Sequence, residues 1–156
     1  MRPPKSLYEV TVRMKRIRLA DGEGPYDRAI RSSADVAKLV RGLGMHEQPH
    51  ESMLAIFLNV RNHVLGFTEV ARGGTSGCVL SPADFYRAAI STPSCYAVVA
   101  VHNHPSSETA PSDEDVALTK RLQQAGELIG IKLLDHVIIG AGDNRYFSFL
   151  DAGLTR

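Results

Sequence analysis

The chain has 156 residues, of which 44% are hydrophobic and 22% are charged, and its formal net charge is +1. This composition is typical of a globular protein, and it excludes both long disorder and an apolar run of the roughly 18 residues that a membrane helix needs. Its two cysteines, Cys78 and Cys95, are too few for a disulfide framework or a CxxC zinc site. We therefore expect a cytoplasmic protein with no membrane contact and no secretion signal in "MRPPKSLYEV".

The N-terminal segment is strongly basic. Its first eighteen residues carry six lysines and arginines against Glu9 alone. From Tyr8 to Met14 apolar and polar residues alternate, which predicts a strand at about 7–18. Such an arm can contact DNA phosphates or an acidic partner, or it can be a solvated face with no partner.

The next part of the chain predicts a helix and an antiparallel strand pair. Ser32 or Ser33 can cap a helix that ends at Gly42 or Gly44. The apolar run "SMLAIFLNV" at 52–60 and the segment "VLGFTEVARGG" read as a strand, a turn and a returning strand. A glycine-rich loop then leads to a short strand or sheet edge at 78–80.

The C-terminal half predicts two further helices and three further strands. Ser81 and Pro82 begin a helix at about 82–91. "CYAVVAVHNH" is a short apolar run between prolines, so it is predicted as a central strand that ends at two histidines. A helical pattern then runs to Gly130, and "IKLLDHVIIG" and "RYFSFLDAG" give the last two strands.

This order, β-α-β-β-α-β-α-β-β, predicts the α/β (α+β) class, with a mixed sheet flanked by helices. The whole chain, 1–156, is predicted as a single domain, with a basic strand and loop at 1–31 and the core at 32–156. Uncovered sheet edges make a homodimer an expected option.

The end of the predicted central strand has the features of a metal site. Side chains two positions apart on a strand share a face, so His102 and His104 can converge on one point. Such a pair also occurs where both rings are only satisfied polar groups. Asp115 follows His104 by eleven residues, in the first turn of the next predicted helix, and could supply a third ligand.

Ser112 and Asp115 also have a purely structural interpretation. Ser-x-x-Asp resembles a capping box, and acidic residues suit the positive end of a helix dipole. Both interpretations can hold if the helix begins opposite the histidines. Two imidazoles and one carboxylate then form a three-ligand set that suits Zn²⁺ and leaves a fourth position for water.

Hydrolysis at such a site needs a general base, and spacing does not choose it. The acidic candidates lie either close to the histidines or upstream in the chain. They are Glu108, Asp113, Glu114, Glu47, Glu51 and Glu69.

Four segments together resemble the JAB/MPN metalloprotease-like domain in its RadC-type bacterial branch. They are His-Asn-His-Pro-Ser, the Ser-x-x-Asp that begins after the seven residues following His104, "LLDHVIIG" and "ESMLAIFLNVRNHV". The resemblance covers residues 30–153 and implies a cytidine-deaminase-like architecture. It implies a JAMM-type metallopeptidase that cleaves an amide or isopeptide bond of a peptide or protein substrate. In that mechanism Glu51 is the general acid and base, and Ser112 helps to stabilise the oxyanion. His102, His104 and Asp115 hold zinc.

The same branch carries a DNA-repair label, so the alternative function is a DNA-associated accessory protein that uses the basic arm and keeps the metal for structure. RadC-type proteins commonly have glycine where this chain has Ser107, and longer relatives have an N-terminal helix-hairpin-helix module. We expect a short stand-alone form without that module. His136 and Asn103 are further candidates for shaping the site.

Overall fold

A computed structural model of the chain describes residues 11, 13–15, 17, 29–73, 80–142 and 144–155. In these ranges a short 3₁₀ helix, Met45–Glu47, accompanies the main elements. Those elements are α1 (Ser33–Gly42), β1 (Ser52–Leu58), β2 (Val64–Arg72), α2 (Pro82–Ile90), β3 (Ala97–His104), α3 (Asp113–Ile129), β4 (Lys132–Gly140) and β5 (Tyr146–Ser148).

The strands of the described ranges form one five-stranded sheet in the order β2-β1-β3-β4-β5. Only β3 and β4 run parallel, because α3 connects them as a crossover; the other neighbouring pairs are antiparallel. The sheet is therefore mixed, as the sequence predicts, and β3 is its central strand.

The helices begin where their capping residues predict. The Ser32 side chain accepts from the backbone of Asp35, and the Asp35 side chain accepts from the backbone of Ser32, which completes a capping box before α1. Ser81 caps α2, with Pro82 in the first turn. Ser112 and Asp115 form a second capping box before α3, which ends at Gly130 with a left-handed φ of 76°.

The sheet separates two hydrophobic layers. α1 covers one face, where it packs on alternate residues of the central strands such as Val99 and Val101. α2 and α3 cover the opposite face, where Val98 and Ala100 meet Leu122. Since β3 alternates in this way, the side chains of His102 and His104 follow Val98 and Ala100 toward α3, whereas Asn103 points to the other face.

Two predicted strands fall largely outside the described residues. The strand at 7–18 is one of them, and its described positions, 11, 13–15 and 17, are not in a strand. The other is the short strand at 78–80, of which only Leu80 is described, in an irregular segment. The remaining predicted helices and strands are confirmed, with β5 shortened to three residues. No helix in the described ranges is long and apolar enough to cross a membrane.

Candidate metal centre

Strand β3 and helix α3 bring three potential metal ligands to one point. The Nε2 atoms of His102 and His104 lie 2.7 Å apart. Asp115 places Oδ1 3.7 Å from Nε2 of His102 and Oδ2 3.9 Å from Nε2 of His104. The candidate ligand atoms of all three residues lie within 4.8 Å of one another. One ion can therefore reach all three side chains.

The capping box of α3 also orients the carboxylate of Asp115. Oδ2 of Asp115 accepts from both the backbone N–H and the hydroxyl of Ser112, each at 2.8 Å. Oδ1 forms no hydrogen bond with the described residues and faces His102. The cap and the candidate site thus share one side chain, and the capping contacts leave a carboxylate oxygen available as a ligand.

A backbone carbonyl fixes the ring of His104. Its Nδ1 lies 2.6 Å from the carbonyl oxygen of Glu108. Because a carbonyl can only accept, Nδ1 must carry the hydrogen and donate it. With the hydrogen on Nδ1, a neutral form of the ring has its lone pair on Nε2, the atom that faces His102 and Asp115.

A longer chain of hydrogen bonds fixes the ring of His102. The hydroxyl of Thr119 donates to the backbone carbonyl of Asp115 at 2.6 Å, so its oxygen accepts from Nδ1 of His136 at 2.7 Å. Nε2 of the neutral His136 ring then accepts from Nδ1 of His102 at 3.2 Å. His102 therefore also presents the lone pair of its Nε2 to the site.

Burial keeps these two rings neutral. It lowers the pKa of His136 to about 3 and that of His102 to about 4. The Asp115 carboxylate acts in the opposite direction, and the neighbouring histidine rings act in the same direction as burial. Burial disfavours the charged form of Asp115 as well. Even so, the pKa of Asp115 lies below its usual value, because positive charge on the His102 ring when that ring is protonated, and the two hydrogen bonds from Ser112, favour the carboxylate.

The arrangement fits a cation. When both rings are neutral, two nitrogen lone pairs face each other at 2.7 Å beside a carboxylate, an arrangement that a shared proton or a metal cation stabilises. Neutral imidazole nitrogens and a carboxylate oxygen are the donors that zinc accepts, and three protein ligands leave one position for water or substrate. The side chains of His102, His104 and Asp115 are 8%, 14% and 13% exposed, so the site is nearly buried but reachable from solvent.

Glu51, the predicted base, directly precedes β1. The antiparallel register pairs Met53 with His102, and if it continued by two residues it would set Glu51 opposite His104. Glu51 is not one of the three clustered residues, and its carboxylate forms no hydrogen bond or ion pair with the described residues.

Several of the other candidate acids are less available. Glu69 makes two hydrogen bonds to Arg72, at 2.7 and 2.9 Å. Glu108 accepts from the backbone of Ala110 at 3.2 Å. Asp113 and Glu114 are exposed in the first turn of α3. Glu51 has no side-chain partner among the described residues, and it directly precedes β1, the strand that pairs with the histidine-bearing β3.

Sequence reasoning missed two groups of the site, Thr119 and the carbonyl of Glu108. A signal for Thr119 was present, since it lies one helical turn after Asp115 and is therefore on the same side of α3. The sequence carries no signal for the carbonyl of Glu108, because every residue has a backbone carbonyl. His136, which the sequence marks only as a candidate, contacts the ring of His102 directly.

A family model of the RadC-like JAB domain matches residues 30–154. The chain belongs to this family. The resemblance inferred from the His-x-His and Ser-x-x-Asp segment is therefore confirmed, and the mixed sheet with flanking helices is consistent with a JAB-like domain.

Curated relatives of this RadC-like JAB domain are bacterial UPF0758 proteins. The one from Desulforamulus reducens is 42% identical over 125 residues, which cover 80% of this chain and 53% of the relative. The one from Carboxydothermus hydrogenoformans is 43% identical over 98 residues, or 63% and 42% of the two chains. The chain spans about half the length of the curated relatives it matches. Their names state no activity.

Several expectations remain predictions for this RadC-like JAB domain. The basic arm that could contact DNA falls largely on residues outside the described ranges. The homodimer, the peptide substrate, the cytoplasmic setting and the division of the chain at 31/32 also stay predictions. The oxyanion role of Ser112 stays one too, and it requires the hydroxyl to turn from Asp115 to the substrate.

Proposed function

We propose that this RadC-like JAB domain is a zinc-dependent hydrolase of amide or isopeptide bonds. The observation that carries the proposal is the orientation of the two histidine rings. Both Nε2 lone pairs point at Asp115, and both rings are locked in that tautomer by hydrogen bonds at their other nitrogens. Ligating histidines are oriented by such partners in metal sites.

In this proposal the three clustered residues, His102, His104 and Asp115, would hold the zinc ion. When bound, zinc supplies a Lewis acid that polarises a carbonyl and makes a water more acidic. Glu51 accepts the proton of the attacking water and later donates it to the leaving nitrogen. The Ser112 hydroxyl donates to the oxyanion that develops on the substrate.

Metal content tests the first half of the proposal. Protein purified without chelators should contain about one zinc per chain, and Asp115→Asn should reduce the zinc content because it removes the anionic ligand. Asp113→Asn is the matched control, since it makes the same change two residues away at an exposed position of the same helix turn. Wild-type protein without a stoichiometric transition metal would contradict the proposal.

Hydrolysis tests the second half. A set of internally quenched peptides, with either an α-amide or a lysine ε-amide as the cleavable bond, is incubated with the wild type and with Glu51→Gln. The variant should keep its zinc and lose activity by about 100-fold or more, because only the proton transfers are removed. Glu47→Gln, at a residue whose side chain is 76% exposed, is the control. A Glu51→Gln variant as active as the wild type would reject Glu51 as the base.

A further inference from the structure

Asn103 stands between the two histidine ligands of β3 but turns away from them. Its side chain lies on the opposite face of the sheet and is 1% exposed. A buried amide is costly unless its donors and acceptor are satisfied, so its partners indicate what it does.

Those partners flank Glu51 on both sides. Oδ1 of Asn103 accepts from the backbone N–H of Ser52 at 2.8 Å and from the Ser52 hydroxyl at 3.1 Å. Nδ2 donates to the backbone carbonyl of His50 at 3.0 Å. One side chain therefore holds the residue before Glu51 and the residue after it.

Backbone pairing between β1 and β3 does not extend to the residues on either side of Glu51. The recorded pairing between β1 and β3 runs from Leu58 with Ala97 to Met53 with His102 and stops there. Beyond that point the amide of Asn103 replaces the ladder. The carbonyl of Glu51 is held from the other side, where it accepts from the N–H of Gly73 at 2.7 Å.

We propose that Asn103 is a positioning residue for Glu51, which couples the place of the general base to the strand that carries His102 and His104. The inference rests on the proposed function for the role of Glu51, whereas the clamp itself is a property of the backbone. The amide of Asn103 supplies an acceptor for Ser52 and a donor for His50 from opposite ends of one short side chain. An ionised aspartate at this position keeps the acceptor and loses the donor.

The test compares Asn103→Ala and Asn103→Asp with the wild type in zinc content and in steady-state hydrolysis of the quenched peptides. Asn103→Ala should keep its zinc and lower kcat on the order of 10- to 100-fold with little change in KM, because the base is misplaced and the ligands are not. The kcat of Asn103→Asp should lie between those of the wild type and Asn103→Ala. The double variant with Glu51→Gln should be no slower than Glu51→Gln alone, since both changes disable one group.

Val101→Ala is the matched control for loss of packing. Val101 is fully buried on the same strand and the same face, two residues before Asn103. Its apolar side chain cannot form the hydrogen bonds that Asn103 makes with His50 and Ser52. Three outcomes would overturn the proposal. They are an unchanged kcat in Asn103→Ala, loss of zinc from Asn103→Ala, and a fall in kcat in Val101→Ala as large as that in Asn103→Ala.

Amide hydrogen exchange gives a second readout that does not depend on activity. In Asn103→Ala the amides of Ser52 and Gly73 should exchange faster, on the order of 10-fold, while core amides of β3 keep their protection. Val101→Ala should leave the difference in exchange rate between the Gly73 amide and the core amides of β3 unchanged. If the wild type hydrolyses no peptide, the proposed function fails, and these two amides still decide whether the clamp exists. If the Ser52 and Gly73 amides of Asn103→Ala exchange at the same rates as in the wild type, Asn103 does not hold the backbone around Glu51.

Discussion

Individual ring nitrogens decide the chemistry of the candidate metal centre. A histidine presents a lone pair to a metal from one nitrogen only when the other nitrogen carries the hydrogen. His104 obtains this state from the carbonyl of Glu108, and His102 obtains it through His136 and Thr119. This series of hydrogen bonds begins at the backbone carbonyl of Asp115, so one candidate ligand residue also sets the tautomer of another candidate ligand.

Thr119→Val should weaken zinc binding while leaving the fold intact. Without the hydroxyl, Nδ1 of His136 loses its partner, and the ring no longer has to keep Nε2 as an acceptor for His102. We expect a fall in zinc affinity of about 10- to 100-fold, measured by competition with a chromogenic chelator.

Thr92→Val is the control for the Thr119 substitution. Its hydroxyl makes the same kind of bond, to the carbonyl four residues earlier, at 2.7 Å, but in the region that follows α2. Zinc affinity should not change in this variant. Equal affinities in wild type and Thr119→Val would show that the hydroxyl does not govern the ring of His102.

At the scale of elements, the site lies where the carboxyl end of β3 meets the first turn of α3. The turn between them contains Ser107, which has a left-handed φ of 65° at a position where RadC-type proteins commonly have glycine. Its hydroxyl donates to the carbonyl of Ala141 at 2.9 Å, which ties the turn to the end of β4. The hydrogen bond offsets part of the backbone strain, so serine is tolerated there.

Asp135 plays a similar tying role between β4 and the segment after β5. Its two oxygens accept from the hydroxyl of Ser148 at 2.7 Å and from the N–H of Leu150 at 2.9 Å. Burial raises the pKa of this carboxyl above its usual value, although the hydrogen bonds act against the rise. The protonated form is therefore favoured in the folded state more than in the unfolded state.

This shift predicts how the Asp135→Asn variant responds to pH. A raised pKa in the folded state stabilises the protein below the unfolded pKa of about 3.9, and that contribution is lost as pH rises through the folded pKa. The free energy of unfolding of the wild type, minus that of Asp135→Asn, should thus fall as pH rises from about 4 toward neutrality.

Urea unfolding at a series of pH values measures the difference. Ser148→Ala removes a hydrogen bond that lowers the pKa of Asp135, so it should extend the fall to higher pH. A difference that stays constant across the series would mean that the carboxyl has the same pKa in both states.

At the scale of the molecule, the candidate site joins distant parts of the chain. β3 supplies two candidate ligands, α3 supplies the third, β4 supplies His136, and the residue before β1 supplies the proposed base. An ion that binds this assembly and not the unfolded chain stabilises the whole fold.

Zinc should therefore raise the melting temperature of the wild type. At a free concentration 100-fold above Kd the gain is about 2.7 kcal/mol, which corresponds to roughly 5–10 °C for a domain of this size. Asp115→Asn should show little or no shift under the same conditions, and Asp113→Asn should behave as the wild type. A scanning calorimeter measures all three, and the absence of a zinc-dependent shift in the wild type would contradict a site that spans these elements.

The order of elements was predictable because each has a local signal. Ser32, Ser81 and Ser112 cap the three described helices in the way their sequences suggest, and apolar runs mark β1, β3 and β4. The three candidate ligands were also predictable, since strand alternation pairs His102 with His104 and the spacing returns Asp115 to them. The proposed role of Glu51 came only through family resemblance, because no spacing rule relates this residue to residues fifty positions later.

The sequence by itself determined the elements, the family and the three residues that could hold a metal, because periodicity, capping and motif spacing are local properties of the chain. Only the tertiary structure decided which ring nitrogen of each histidine faces the site, and that Asn103 holds the residues around Glu51. Those features depend on backbone carbonyls and amides that every residue carries. Such groups gain a specific role only when packing brings them within hydrogen-bond distance.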